Sequence, residues 1–540
     1  MMPIRRLDKN KIALIGILLI SLFLNVLGLW WGLPSYDAWA VDEIVPARVQ
    51  NGIANGFSHG WNDAYPPLHY YLLTLFYSPI FLFQQFHPLT EDDLYMALYY
   101  MGRILSALMG VGIVLLVYLC GREIYDELSA LIASGLTMCI APFVYYAKTA
   151  NVDVPYVFWV VFSFFFYIRI LKKHRVQDYL WFAATATLAV CTKDQAYGFY
   201  VLSPLPILWS RYAFEKRRND SASLIGTLID RKNLAALGAG ALVFILTQNL
   251  LLNWDGFIAH FKFITGPAQI YANYTHTVAG HASMTWQSVK HLLFSFGWPS
   301  FLLCCAGIGY ALLQKKKNYL LLSLLIPAIS YDIFFINVIL HDFDRHFLAI
   351  CIIFAFFGGK FAADILRSRH IGRFVGIALL CIIGVYSVGY ALSVDLAMVN
   401  DSRYYVEAWI KENLPPQASI ALADDRVFLP RDYKWNCQHC FYPSRMISME
   451  KLKRLNPDYL VINADLQTRM NSEFYNELRR ESSPYAQILG YRSHLKYLLL
   501  DRDDIYKNGK RMIVTNLDKI NPQIAIFQRK PLRRSPKKLG

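Results

Sequence analysis

Asp42 and Glu43 stand side by side just after the first apolar run of the chain, and Tyr65-Pro66-Pro67-Leu68 follows in the same stretch. The run itself, Ile12 to Trp31, has the ~20 residues that a bilayer crossing needs. The two carboxylates therefore fall at the far membrane surface, in a loop rich in aromatics. A carboxylate there can take a proton from a hydroxyl, acting as a general base on a substrate delivered by the lipid phase.

Other polar groups fall at the outer ends of later apolar runs. Arg103 lies near the outer start of the second run, where a snorkelling role is the simpler explanation. Asp153 sits in Lys148-Thr149-Ala150-Asn151-Val152-Asp153-Val154-Pro155, a pattern that also suits a helix cap with Pro in the first turn. Lys193 and Asp194 close the fifth run, and an ionisable pair at that depth marks a functional position. His341-Asp342-Phe343-Asp344-Arg345-His346 joins two late runs. His341, Asp342 and Asp344 are weak metal candidates, since their spacing matches no specific ligand pattern. Arg345 suits an anion better, because its fork matches phosphate oxygens. Carboxylates that activate a hydroxyl, facing cations that hold a phosphate leaving group, point to group transfer from a lipid-linked phosphate.

The composition supports a membrane setting. Of 540 residues, 55% are hydrophobic and only 17% charged, where a soluble chain carries nearer ~25% charged residues. The net charge of +15 would suggest nucleic acid in a soluble protein. Here the excess lies in short loops, at Arg122, Lys172-Lys173, Arg211 to Arg218, Lys315-Lys316-Lys317 and Arg367 to Arg373. These fall at every second loop, on the side of Arg5 and Arg6, as the positive-inside rule requires. No nucleic-acid partner is expected. Apolar runs at 12–31, 96–119, 128–147, 154–171, 178–194, 197–213, 234–252, 292–313, 318–339, 346–366 and 373–393 give about eleven crossings. The first is too long for a signal h-region and reads as an uncleaved span. Leu68 to Phe86, broken by Pro79, reads as lying along the interface. The N-terminus is then cytoplasmic and everything after 393 lies outside.

Residues 394–540 carry no spanning run. Glu407 to Glu412 and Leu466 to Glu481 read as helices. Ile420 to Leu422, Tyr459 to Ile462 and Ile524 to Phe527 read as strands. The expected architecture is a polytopic α-helical membrane domain over 1–393 with a small outer α/β domain over 394–540. Cys437 and Cys440 lie in the outer domain as a disulfide, half of a zinc site or free thiols, and an oxidising compartment favours the disulfide. Asn273-Tyr274-Thr275 is a glycan acceptor sequon.

In order and spacing these motifs resemble the GT-C superfamily of glycosyltransferases, in the branch of protein O-mannosyltransferases and lipid A aminoarabinose transferase. Asp42-Glu43, Tyr65-Pro66-Pro67-Leu68, Arg103, Asp153-Val154-Pro155, Thr192-Lys193-Asp194 and Arg345-His346-Phe347 carry the likeness. Asp401-Ser402-Arg403 through Leu414-Pro415-Pro416, and Pro457 to Val461, extend it into the outer domain. The resemblance implies a GT-C fold and an inverting transferase that uses a polyprenyl- or dolichyl-phosphate sugar on the outer face of a plasma or inner membrane. Asp42 would be the catalytic base, with Glu43 beside it and Asp153 as a second acid. Arg103, Lys193 and Arg345 would hold the donor phosphate. Tyr65, His69, Lys148 and His346 would line the substrate pocket. The outer loop 34–95 would carry the acidic motif, and the loop 253–290 would close over the donor. No cofactor is implied, and the need for a divalent cation stays open. The acceptor is a protein, lipid or glycan.

The sequence departs from the branch at three places. Tyr65 stands where the aminoarabinose branch has Lys, with His69 or His59 as replacements. Asp194 stands where the family has Gly, which would partly neutralise Lys193. Lys148 stands where the family has Arg. A transporter or flippase for a lipid-linked saccharide is the alternative, but such proteins place polar groups near the midplane, often with repeat symmetry, and no repeat is visible. A receptor presenting the outer domain leaves the polar positions of the membrane part unexplained.

Overall fold

The computed structural model describes residues 9–266, 272–368, 372–431, 439–443, 446–496, 498–507 and 510–531. The chain divides into two compact units. The first contains Met1–Leu29, Glu43–Asp395 and Leu499–Thr515; the second contains Trp30–Asp42, Leu396–Leu498 and Asn516–Gly540. The main division falls two residues beyond the expected boundary. Two short segments cross over: Trp30–Asp42 groups with the second unit and Leu499–Thr515 with the first.

The first unit is helical. In chain order its helices are α1 (Lys9–Val26), α2 (Pro46–Ala54), α3 (Leu68–Phe86), α4 (Glu91–Ile124), α5 (Glu127–Met138), α6 (Ala141–Tyr146), α7 (Asp153–Lys173), α8 (Val176–Thr192), α9 (Pro204–Lys216), α10 (Leu224–Leu228), α11 (Arg231–Thr247), α12 (Trp254–Thr265), α13 (Val278–Phe296), α14 (Trp298–Leu313), α15 (Tyr319–Leu322), α16 (Leu325–Tyr331), α17 (Asn337–Ile339), α18 (Leu348–Arg367) and α19 (Gly372–Val399). Among the described residues, six helices are long and apolar enough to cross a membrane, or seven if the pair α13 and α14, bent by 118°, counts as one span. The other expected spans fall on shorter or broken helices. The run 128–147 breaks between α5 and α6, where Pro142 opens a new helix. The run 197–213 starts in the 3-10 helix Asp194–Phe199. The run 318–339 is one of the six, and it carries a π-helical turn, Asp332–Ile336, without losing its length. A hydropathy window sums across such breaks, so it cannot see them. Likewise 253–290, expected as a loop, holds α12 and the first turns of α13; its residues 267–271 lie outside the described residues.

Local chemistry sets the helix ends. Thr90 caps α4 by accepting from the Asp93 amide, and Glu91, Asp92 and Asp93 favour the positive end of the helix dipole. Asp126 caps α5 through the Ser129 amide. Helix packing relies on small residues, as expected where the surroundings are as apolar as the side chains. α18 packs on α5 and α14. A Cβ on Gly359 would lie 2.7 Å from the Ser129 carbonyl oxygen, and one on Gly307 2.4 Å from the Phe357 carbonyl oxygen.

The second unit is a five-stranded mixed sheet in the order β2-β1-β3-β7-β4, with α20 (Ser402–Asn413), β1 (Ile420–Leu422), β2 (Cys440–Phe441), α21 (Met449–Leu455), β3 (Tyr459–Asn463), α22 (Ala464–Met470), α23 (Ser472–Leu478), β4 (Tyr485–Tyr491) and β7 (Ile524–Arg529). In the Leu499–Thr515 segment of the first unit, a separate ribbon pairs β5 (Tyr506–Lys507) with β6 (Lys510–Arg511). β1 runs parallel to β2 and β3, and β7 runs antiparallel to β3 and β4. β3 is buried along its whole length, because both faces are covered. Leu460 and Ile462 pack with Leu452 and Phe474 on one side, while Tyr459 and Val461 pack with Val406 and Ile410 on the other. This is the period-2 alternation with two apolar layers. The three expected strands form, and the helix expected over 466–481 breaks at Asn471 into α22 and α23. Trp30–Asp42 joins this unit through its indoles. Trp31 Nε1 donates to Asp401 Oδ2 at 3.0 Å, and Trp39 Nε1 to the Leu429 carbonyl at 2.9 Å. The Arg403 guanidinium lies 4.0 Å from the centre of the Trp39 ring. Cys440 is disulfide-bonded, and Cys437 lies outside the described residues.

Gly359→Leu should drive α18 off α5 and cost about 1–3 kcal/mol or more. A lowered unfolding temperature of the detergent-solubilised protein checks this, and an unchanged one refutes it.

Candidate active site

Asp153 opens α7 without capping it. The cap residue is Val152, which offers no side-chain bond, and the Asn151 side chain instead accepts from the Asp153 amide at 2.9 Å, an Asx turn. The carboxylate is thereby left for other partners. It is fully buried, and Oδ1 accepts from Lys193 Nζ at 2.6 Å. Arg345 Nη1 stands 3.9 Å from Oδ2. Lys193 is carried there by the end of α8, where the backbone turns extended before the 3-10 helix Asp194–Phe199. Its ammonium lies 5.7 Å from the Tyr156 ring centre and 5.9 Å from that of Tyr65. Arg345 is set by the residue before it. Asp344 Oδ1 accepts from the Arg345 amide at 2.7 Å and from the Tyr146 hydroxyl at 3.0 Å, and Oδ2 accepts from Thr515 Oγ1. Asp153, Lys193, Arg345 and Tyr65 thus come together in one place. The Arg345 and Lys193 side chains keep 17% and 10% of their exposure, so both cations stay reachable. His346, next along, packs edge-on against Phe335 and meets the His341 carbonyl at 3.3 Å.

The rest of the expected set is placed elsewhere. Glu43 and Arg103 bind one another. The guanidinium meets the carboxylate twice, at 2.8 Å each, and adds the Leu29 carbonyl at 2.6 Å. Glu43 Oε1 also accepts from the Ala150 amide at 2.7 Å. Both side chains are 1% exposed. Lys148, expected in the substrate pocket, is instead fully buried, bound to Asp395 and to the carbonyls of Leu24 and Leu27. A charge there needs these oxygens, because nothing else would replace its water. His69 is also fully buried, and neither ring nitrogen has a hydrogen-bond partner among the described residues.

The metal candidates are divided among separate partners. Asp342 takes Asn273 Nδ2 at 2.7 Å and His291 Nε2 at 3.3 Å. Burial alone would raise its pKa, yet these hydrogen bonds hold it below the usual carboxylate value. Asp344 takes Tyr146 and Thr515, as above. Among the described residues no group of three His, Cys, Asp or Glu is arranged to hold a metal.

Asp42, last residue of its segment in the second unit, is half-buried and has φ of +69°. That left-handed backbone is uncommon outside Gly and tolerated by Asp.

The sequence reading missed His260. It lies on α12, and its two ring nitrogens meet Asp194 Oδ2 and the Asp63 carbonyl, each at 3.0 Å. Asp63 is itself paired with Arg48 of α2. Asn253 joins the same seam, accepting from the Gly60 amide and donating to the Trp61 carbonyl. A cleft follows this seam, lined by Trp61, Tyr65, Gln248, Phe257 and His260 among others. Nothing in the local sequence marks His260, because its partners are distant in the chain.

Residues 94–229 match the family model described as Dolichyl-phosphate-mannose-protein mannosyltransferase. That segment holds Arg103, Asp153 and Lys193, and it bears out the resemblance read from the motifs. No curated protein matches the chain. Among solved structures the chain is similar to the Archaeoglobus fulgidus oligosaccharyltransferase in complex with Zn and sulfate, at 14% identity and a TM-score of 0.47, over 87% of this chain and 70% of that one. It is also similar to ArnT from Cupriavidus metallidurans bound to undecaprenyl phosphate, at 11% identity and a TM-score of 0.46, over 96% and 97%. A third likeness is to the S. cerevisiae protein O-mannosyltransferase Pmt1-Pmt2 complex bound to the sugar donor, at 17% identity and a TM-score of 0.36, over 46% and 35%.

Glu43→Ala should leave Arg103 buried without its counter-charge and destabilise the fold by about 3–5 kcal/mol. Thermal unfolding in detergent reads this out. A variant as stable as the parent would show that the pair is not a structural tie.

Proposed function

We propose that this protein is a glycosyltransferase that takes a sugar from a polyprenyl- or dolichyl-phosphate carrier and passes it to an acceptor hydroxyl at the extracytoplasmic membrane face. The observation that carries this reading is the meeting of Lys193 and Arg345 around Asp153 with Tyr65 alongside. Two partly exposed cations in an apolar surround suit a phosphate that arrives from the lipid. The family match over 94–229, which includes Asp153 and Lys193, supports it.

The chemistry is an inverting displacement. Asp42 takes the proton of the acceptor hydroxyl as its oxygen attacks the anomeric carbon. The bond from that carbon to the phosphate oxygen breaks, and its electron pair leaves on the carrier phosphate. Lys193 and Arg345 stabilise that charge, which grows as the bond breaks, so their pull is stronger in the transition state than on the bound donor. Asp153 fixes the Lys193 ammonium in advance, so little reorganisation is needed when the donor enters. His346 and Tyr65 border the same place. Arg103, in this reading, holds Glu43 and so fixes the start of the loop that follows Asp42, instead of holding the phosphate. The N-terminus lies in the cytoplasm and residues 394–540 lie outside.

The test is transfer from a panel of radiolabelled polyprenyl-phosphate sugars by the purified protein, with and without chelator. Asp42→Asn should abolish turnover while donor binding survives. Lys193→Met and Arg345→Met should each raise the donor KM by about 10- to 100-fold, the worth of a hydrogen bond to a charged group. Transfer at the parental rate by Asp42→Asn would refute the proposed base. Movement of intact carrier-linked sugar across vesicles without transfer would favour a flippase.

A further inference from the structure

His260 is placed between two acceptors. Asp194 Oδ2 lies 3.0 Å from Nε2, and the Asp63 carbonyl oxygen lies 3.0 Å from Nδ1. A neutral imidazole carries one N–H only, so it would turn a lone pair towards one of these oxygens. Satisfying both contacts requires the doubly protonated ring. The ring is 8% exposed, and the Asp194 side chain 30%.

The position of Asp194 gives the contact a consequence. It directly follows Lys193, whose ammonium is held by Asp153. An uncovered carboxylate beside that lysine would weaken its pull on an anion. We propose that His260 is a positioning residue for donor binding, whose imidazolium covers the Asp194 charge and pins helix α12 to the first outer loop, so that the positive field of Lys193 is left for the carrier phosphate. This rests on the function proposed above. It also accounts for an acid at the position after the lysine.

The charged groups that face His260 are few. Asp194 comes from the 3-10 helix, and Asp63 comes from the loop before α3 and is paired with Arg48 of α2. Its own helix carries Asp255 and Lys262. Burial opposes the charge on His260, but the hydrogen bond and charge of Asp194, with the Asp63 carbonyl, outweigh burial and raise the pKa above the usual 6.5. A raised value means that the latch is complete below about 6.5 and is lost as pH climbs through the folded-state value. Donor affinity should follow the same direction, falling as pH rises.

The experiment uses the full chain in nanodiscs and two readouts. The first is the titration of His260 by NMR with labelled histidine, in the parent and in Asp194→Asn. The parent should titrate above 6.5, and Asp194→Asn should bring the value down. The second is the affinity for undecaprenyl phosphate alone across pH 5.5 to 8.5, taken as a rough span about the usual histidine value. His260→Gln should weaken binding about three- to fivefold at low pH and flatten the profile, the scale of a partly exposed charge pair. The double variant Asp194→Asn with His260→Gln should restore parental binding, since no charge then needs covering. A purely structural role for His260 would not be rescued by changing Asp194. An ordinary His260 titration, unmoved in Asp194→Asn, overturns the inference, as does parental binding by His260→Gln. Failure of the parent itself to bind undecaprenyl or dolichyl phosphate overturns the proposed function, and a shifted titration would then leave the ion pair standing without its role in donor binding.

Discussion

The buried pair between Glu43 and Arg103 is the constraint on which one end of the helical unit depends. Removing two charges from water costs several kcal/mol per ion, and only close, multiple contacts offset it. Here the carboxylate takes two guanidinium bonds and the Ala150 amide, while the guanidinium adds the Leu29 carbonyl. The Ile44 amide closes the seam on the Ala150 carbonyl at 2.7 Å. One ion pair thus ties the turn after α1, the segment before α2, α4 and the segment before α7. Asp42 precedes it directly, and Asp153 begins three residues after Ala150.

Charge is handled in the same way elsewhere in this unit. Lys148 meets Asp395 and two carbonyls at the end of α1. The Asp344 carboxylate gathers Tyr146, Thr515 and its own neighbour's amide. In each case the buried charge is surrounded by bonds that leave it no freedom. The contrast is with Lys193 and Arg345, which share one carboxylate at unequal distances and retain some exposure. These partly exposed cations are the ones to which the proposed function assigns an arriving anion. Burial, more than residue type, separates the charges tied inside the unit from the partly exposed ones.

Much of the architecture is legible in the sequence because its physics is local. Long apolar runs, basic alternate loops and the alternating pattern of β3 each follow from transfer of side chains out of water. Six of the expected runs coincide with helices of spanning length, while the breaks inside others are not legible. Pro142 and Gly297 break runs that a hydropathy window joins, since a backbone restriction leaves the summed hydrophobicity unchanged. The site was legible in part. Asp153, Lys193, Arg345 and Tyr65 were found from type and place, and they converge. Arg103, Glu43 and Lys148 have the same types at the same membrane depth, and no local signal separates them from the site.

By itself, then, the chain determined its partition into apolar helices and a mixed sheet, and the likeness of residues 94–229 to the mannosyltransferase family model. Those properties are sums over neighbouring residues, and sequence carries them directly. Tertiary structure alone decided which acid meets which base. Glu43 finds Arg103 rather than a ligand, Asp153 finds Lys193 rather than its own helix end, and His260 finds Asp194 across 66 positions. Pairing of charges depends on distance in space and on which water each partner gives up, and neither quantity is written along the chain.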